Sequence, residues 1–200
     1  MTLRATTEPA KAESLAIAAF ELFSTRGIDG VSMDDVAARA GVTKGSLYWH
    51  YSSKKEIILA ACVQYYARWR VQMAEATEQT SAPWDRVVAA VEFSVHSCLL
   101  DEANRVFTTE IVALALYDTE VRASWSGFLD ETERLFLGLT HRAVGAGQLK
   151  CDDVDRAVEL LLAAMEGVKQ LTLFRPRYAA GDSAERTTRS LLSLLGAPTA

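Results

Sequence analysis

Gly41 separates two short helical patterns, and this break constrains the N-terminal part of the chain more than any other feature. Upstream, Ser32 offers an N-cap oxygen and Asp35 follows three residues later, as in a capping box. Asp34 and Asp35 place negative charge at the positive end of that helix dipole. Val36, Ala37 and Ala40 give an apolar face at helical spacing. Glycine takes the left-handed conformation of a sharp turn at little cost, so Gly41 ends the helix, with Val42 as an apolar plug. Thr43 then caps a second helix, Lys44 to His50, about two turns long.

Leu47 and Tyr51 lie four apart and face the core, so Lys44, Gly45, Tyr48 and Trp49 face outward. That set is unusual for ordinary solvated surface, and each member has a use against a nucleic acid. Thr43 and the free N–H groups at the helix start can bind a phosphate. Gly45 lets the backbone lie close to a duplex. Lys44 can donate to guanine O6 and N7, and Ser46 can pair with several base edges. Tyr48 and His50 can reach phosphate oxygens, and Lys54, at the start of the next helix, can neutralise another. The candidate DNA-binding residues are therefore Ser32, Thr43, Lys44, Gly45, Ser46, Tyr48, Trp49, His50 and Lys54. Two helices meeting at a glycine, the second of them the reader, make a helix-turn-helix. A small structural turn with an aromatic plug is the alternative.

The segment from Leu15 to Ile58 resembles the DNA-binding domain of the TetR/AcrR family of bacterial transcriptional regulators. The likeness is carried by AAFELFSTRG (Ala18 to Gly27), DDVAARAGV (Asp34 to Val42), KGSLYWHY (Lys44 to Tyr51) and SKKEI (Ser53 to Ile57). It implies three N-terminal helices, a long fourth helix, an all-helical effector domain and a two-fold homodimer on double-stranded operator DNA. The domains expected are a DNA-binding domain over 1–55 and an effector-binding and dimerisation domain over 56–200.

The net charge of −5 at first argues against a DNA binder. Its distribution answers this: residues 1–55 carry a balance of +1 and residues 56–200 a balance of −6. Local cations near the reader can still act within a Debye length. Half of the residues are hydrophobic, enough for a substantial core. Cys62, Cys98 and Cys151 show no metal or redox spacing, and they read as reduced thiols of a cytoplasmic protein. The start, MTLRATTEPAK, is too polar for a secretory leader, and no apolar run suggests a membrane partner.

Everything beyond the reader looks helical, so the fold expected is all-α with about nine helices. Pro9 starts the first helix and Gly27 stops it; Ser52 or Ser53 caps the long fourth. Thr77 to Ala82 is a polar break, and Pro83 opens a fifth helix running through Leu99. Asp101, Asp118, Asp152 or Asp153, and Asp182 mark the later starts. The eighth helix carries a seam that includes Val158, Leu161, Met165 and Val168, and the ninth carries Leu191, Leu192 and Leu195. These form the expected dimer interface, unless both seams close the monomer's own core.

The stretches Phe107 to Trp125, Ala143 to Gly147 and Leu161 to Val168 also resemble the effector domain of BetI-like members of the family. Candidate effector-binding residues are Tyr66, Trp69, Phe93, His96, Phe107, Glu110, Trp125, Phe128, Met165 and Lys169. Their aromatic content suits a small lipophilic or aromatic effector, and Glu110 could provide the counter-charge for a cation. Glu110 could equally pair within the protein, as could Glu166 with Lys169. The favoured function is a ligand-responsive repressor; a helix-turn-helix protein without an effector is the alternative. An enzyme is disfavoured. Cys98 and His96 are two apart and do not face each other on a helix. The Asp152, Asp153 and Asp155 acids suit a helix start. No catalytic residue, metal or cofactor is expected.

Overall fold

The structure is a computed structural model that describes residues 8–179 and 182–196. Residues 1–7, on which the reading of the chain start partly rests, lie outside the described residues. Among those described there are nine α-helices and no strand. They are α1 (Glu8–Arg26), α2 (Met33–Arg39), α3 (Lys44–His50), α4 (Lys54–Glu78), α5 (Pro83–Val95), α6 (Glu102–Ala115), α7 (Thr119–Gly145), α8 (Val154–Phe174) and α9 (Ser183–Leu194). The all-α expectation holds.

The chain folds into two compact units. The first holds the described residues up to Trp69 together with Val106–Trp125; the second holds Arg70–Arg105 and residues from Ser126 onward. The boundary expected after residue 55 thus falls inside a unit. The reason is packing. Tyr65 and Tyr66, on α4, belong to an aromatic cluster with Phe20 of α1, Phe107 of α6 and Trp125 of α7. Its ring centroids are 4.9 Å apart for Phe20–Phe107, 5.7 Å for Tyr65–Phe107 and 6.2 Å for Tyr66–Trp125. Leu15, Ala19, Phe23, Leu47, Ile57 and Ile111 are fully buried in this unit.

Capping chemistry sets the starts. Ser32 Oγ accepts the Asp35 N–H at 3.1 Å, and Asp35 Oδ2 accepts the Ser32 N–H at 2.8 Å, completing the capping box. Thr43 Oγ1 accepts the Ser46 N–H at 3.2 Å. Ser53 caps α4, Asp101 α6, Asp118 α7 and Asp153 α8. The fifth helix departs from expectation. It ends at Val95 and passes into a π-helical turn, His96–Leu100, where the Asp101 N–H reaches the His96 carbonyl at 2.9 Å.

The second unit buries Val87, Ala90 and Val91 of α5, Phe136 and Ala143 of α7, Val158 and Leu161 of α8, and Leu191 and Leu195 of α9. Arg70 grips Glu131 through two parallel hydrogen bonds of 2.6 and 2.7 Å, joining the end of α4 to α7.

The capping box makes acid stability testable. Asp35 is lowered from 3.8 to about 2, first by the Ser32 hydroxyl, then by the Ser32 N–H and by Arg26. A depressed carboxylate contributes stability that is complete above its unfolded value and lost as pH falls through its folded one. Between about pH 4 and 2 the wild type is therefore expected to lose stability that Asp35→Asn never had. Urea midpoints measured across that window should converge; parallel curves would discount the box.

Candidate nucleic-acid interface

The turn before the reader is built from backbone alone. Gly41 sits at φ +69°, a left-handed conformation that disfavours any side chain. Its N–H reaches the Ala38 carbonyl at 3.2 Å, and the Val42 N–H reaches the Ala37 carbonyl at 3.0 Å. This pair of bonds is a Schellman motif. Val42 is half-buried as its plug. Leu47, on α3, is fully buried, and the Tyr51 hydroxyl donates to the Ala12 carbonyl at 3.0 Å, fastening the end of α3 to α1. The helix is thereby fixed in rotation.

The opposite face is exposed. Trp49 is 69% exposed and Tyr48 43%, both high for aromatic rings. Ser32, Thr43, Lys44 and Gly45 are exposed, and Ser46, His50 and Lys54 are partly so. A Cβ built on Gly45 meets nothing nearer than Thr43 Oγ1 at 4.0 Å, so the outward side is open. The residues chosen from sequence thus lie together on and around α3. Sequence reading missed one partner: Lys44 Nζ lies 2.9 Å from Asp34 Oδ1. The two lie ten positions apart, on either side of the turn between α2 and α3, a spacing with no periodic signature.

The candidate effector residues divide between the units. Tyr66, Trp69, Phe107, Glu110 and Trp125 belong to the first; Phe93, His96, Phe128, Met165 and Lys169 to the second. Tyr66, Trp69, Phe107 and Trp125 are buried, with the Tyr66 hydroxyl 3.3 Å from Ser124 Oγ. In the second unit Phe128 and Met165 are buried and Phe93 is half-buried. Lys169 is buried and grips Glu166 at 2.7 and 2.8 Å, so the pairing read from their spacing is present.

Two of the candidate effector residues stand in different surroundings. His96 is exposed, because it lies four residues after exposed Glu92, on the face of the helix opposite to the buried Val87, Val91 and Ser94. Glu110 Oε2 accepts the Ile28 N–H at 2.8 Å, just beyond the end of α1. Gly27, at φ +72°, admits this approach: a Cβ there would come within 3.3 Å of that oxygen. Glu110 is therefore a structural acceptor joining α6 to the α1–α2 loop. Glu110→Ala should destabilise the chain by about 1.5–3 kcal/mol, the range for a hydrogen bond to a charged group. An unchanged melting transition would remove that role.

The residues expected at the dimer interface lie mostly out of solvent within the single chain. Val158, Leu161, Met165, Leu191 and Leu195 are buried within their own unit, and Val168 and Leu192 are half-buried. The seam read from sequence mainly closes the monomer's core. A different stripe of α8 reaches solvent: Leu160 is 43% exposed, Leu171 39% and Phe174 79%, and Ala164 and Gly167 continue the same spacing. Beside it runs an open groove of about 580 Å³, lined among others by Ala164, Val168, Arg177, Leu191 and Leu194. None of the candidate effector residues lines it.

Catalytic chemistry has little material here. Burial pushes the Cys62 thiol up to about 12, and Cys98 to about 11. Among the described residues no group of three or more His, Cys, Asp or Glu is arranged to hold a metal, and no helix is long and apolar enough to cross a membrane.

A capped helix pair with an exposed, polar and aromatic second helix on an all-helical scaffold defines a helix-turn-helix protein. Residues 17–61 match the family model described as bacterial regulatory proteins, tetR family. The N-terminal helix-turn-helix segment is thus similar to that of the TetR family of regulators. It is 41% identical over 78 residues to the transcriptional activator FasR of Mycolicibacterium smegmatis; that match covers 39% of this chain and 36% of FasR. The chain thus spans little more than a third of that relative's length. It is 24% identical over 167 residues to the regulator AcrR of Shigella flexneri, covering 80% of this chain and 76% of AcrR. In fold it is similar to a transcriptional regulator from Saccharomonospora viridis solved in complex with choline. There the TM-score is 0.83 at 17% identity, over 94% of this chain and 97% of the other.

Proposed function

We propose that the chain is a DNA-binding transcriptional repressor that grips a palindromic operator as a homodimer and is released by a small lipophilic or aromatic effector. The observation that carries this reading is the rotation of α3. Leu47 points fully inward, while Lys44, Tyr48 and Trp49 stand exposed on the other side. Ser46 and Lys44 lie in the first turn, the part of a recognition helix that reads base edges. Tyr48, His50 and Lys54 surround them as phosphate contacts.

The homodimer reading rests on the exposed stripe Leu160, Ala164, Gly167, Leu171 and Phe174, whose alternating steps of four and three suit helix-on-helix packing about a two-fold axis. The choline bound to the Saccharomonospora viridis regulator supports a small-molecule effector as such, while the lipophilic or aromatic class rests on the aromatic side chains of this chain. Choline is a quaternary ammonium, a type of cation that aromatic faces attract. An effector must bind the DNA-free conformation better than the bound one, or it shifts nothing.

Selection of bound duplexes from a random pool tests the reading. A two-fold symmetric motif is expected, and transcription from a promoter carrying it should fall on adding the protein. Recovery of no motif would overturn the proposal. Lys54→Ala should weaken binding to every duplex alike and flatten the salt slope by about 0.9. A loss confined to one base pair would instead make Lys54 a reader.

A further inference from the structure

Lys44 meets its surroundings as half of an ion pair. Its Nζ lies 2.9 Å from Asp34 Oδ1 and 3.0 Å from Oδ2, and the side chains are 62% and 61% exposed. Asp34 is not the cap of α2, because Ser32 and Asp35 make the capping box between them. A surface that meets a polyanion gains nothing in raw affinity from such an acid. Other cations of the first unit are held the same way. Arg26 pairs with Asp35 at 3.1 Å, Arg39 with Glu21 at 2.5 Å and Lys55 with Glu120 at 2.7 Å.

From this geometry, and resting on the reading of α3 as the recognition helix, we infer that Asp34 is a specificity-determining residue that withholds Lys44 from phosphates and leaves it available to base edges. The physics lies in the two kinds of acceptor. A phosphate carries a full negative charge, and the Asp34 carboxylate beside it repels it directly. Guanine O6 and N7 are neutral acceptors and suffer far less from the same carboxylate. A paired Lys44 therefore releases few counterions on an arbitrary duplex, yet it can still donate a hydrogen bond to guanine while Asp34 orients its ammonium. Asp34 lowers non-specific affinity more than specific affinity, and the ratio of the two rises.

The test uses the full chain, the duplex selected from the random pool, and a scrambled duplex of equal length, titrated between 50 and 200 mM salt. Asp34→Asn should steepen the salt slope on the scrambled duplex by about 0.9, one more phosphate neutralised. Over that fourfold salt range this amounts to about a threefold extra gain in affinity at the low end. Affinity for the selected duplex should change less, so discrimination falls. On a Lys44→Gln background the same substitution should leave the slope nearly unchanged, because no ammonium is freed. An Asp34→Asn slope equal to wild type, or an equal change with Lys44 absent, would overturn the inference. Melting curves check the fold, and Asp34→Ser serves if the Asn variant melts early. Wild-type protein that never distinguishes the two duplexes overturns the DNA-binding reading itself. Wild-type discrimination that Asp34→Asn leaves intact overturns only the role of Asp34.

Discussion

Leu171→Glu is expected to yield a folded monomer, whereas Leu161→Glu is expected not to fold stably. The two residues lie on the same helix, α8, ten positions apart in sequence. Leu171 is 39% exposed and continues the stripe that includes Leu160 and Phe174, so a charge there meets water in the monomer and an apolar face in a dimer. Leu161 is fully buried, and a carboxylate there loses its hydration without a partner. Substitutions of that kind belong to the rare class costing more than about 4 kcal/mol, a large part of a domain's stability. Sedimentation should therefore show Leu171→Glu as a monomer with unchanged helical circular dichroism. Its affinity for a full palindrome should fall by a factor on the order of 10²–10⁴, the avidity lost when two half-sites are no longer linked. A Leu171→Glu dimer as tight as wild type would reject the stripe. A well-folded Leu161→Glu monomer would restore the buried seam as the interface.

Leu47→Ala is the second large effect. Leu47 is the inward residue of the seven-residue α3 and has no exposed surface. So short a helix holds its conformation by tertiary packing and not by its own propensity. Truncation at such a site removes about 2–5 kcal/mol, depending on how far the surroundings collapse. Lys44, Ser46, Tyr48 and Trp49 then lose their common orientation even though none of them is altered. Operator binding should fall steeply while binding to a scrambled duplex falls less, because phosphate contacts tolerate disorder better than base contacts. The melting transition should move down in parallel. A variant that melts as wild type and retains its motif would show that Leu47 does not set the reader's position.

The helix-turn-helix was legible because its determinants are local. Ser32, Gly41 and Thr43 each act on backbone groups within three or four residues. Capping and turn chemistry of this kind is written in residue types at fixed spacing. Glu110 was not legible in the same way. Its carboxylate serves an N–H group 82 residues away, and the left-handed Gly27 that admits it is recognised only after the two segments meet. The π-helical turn at His96–Leu100 was not legible either, where continued α-helix was expected.

Helix α8 shows where the sequence stops deciding. It carries two apolar stripes with the same alternation of three and four. One runs through Val158, Leu161 and Met165, the other through Leu160, Ala164, Leu171 and Phe174. A helix apolar on most of its circumference can present either stripe inward, and its periodicity is equally satisfied by both. The sequence alone determined the helical class, the capped helix-turn-helix and the outward face of α3. Tertiary structure decided which α8 stripe closes the core, because burial depends on neighbours such as α9 and the His96–Leu100 turn, which the periodicity of α8 does not encode. It likewise decided that Lys44 stands as half of a pair with Asp34, since an ion pair between two helices is fixed by the angle of the turn joining them.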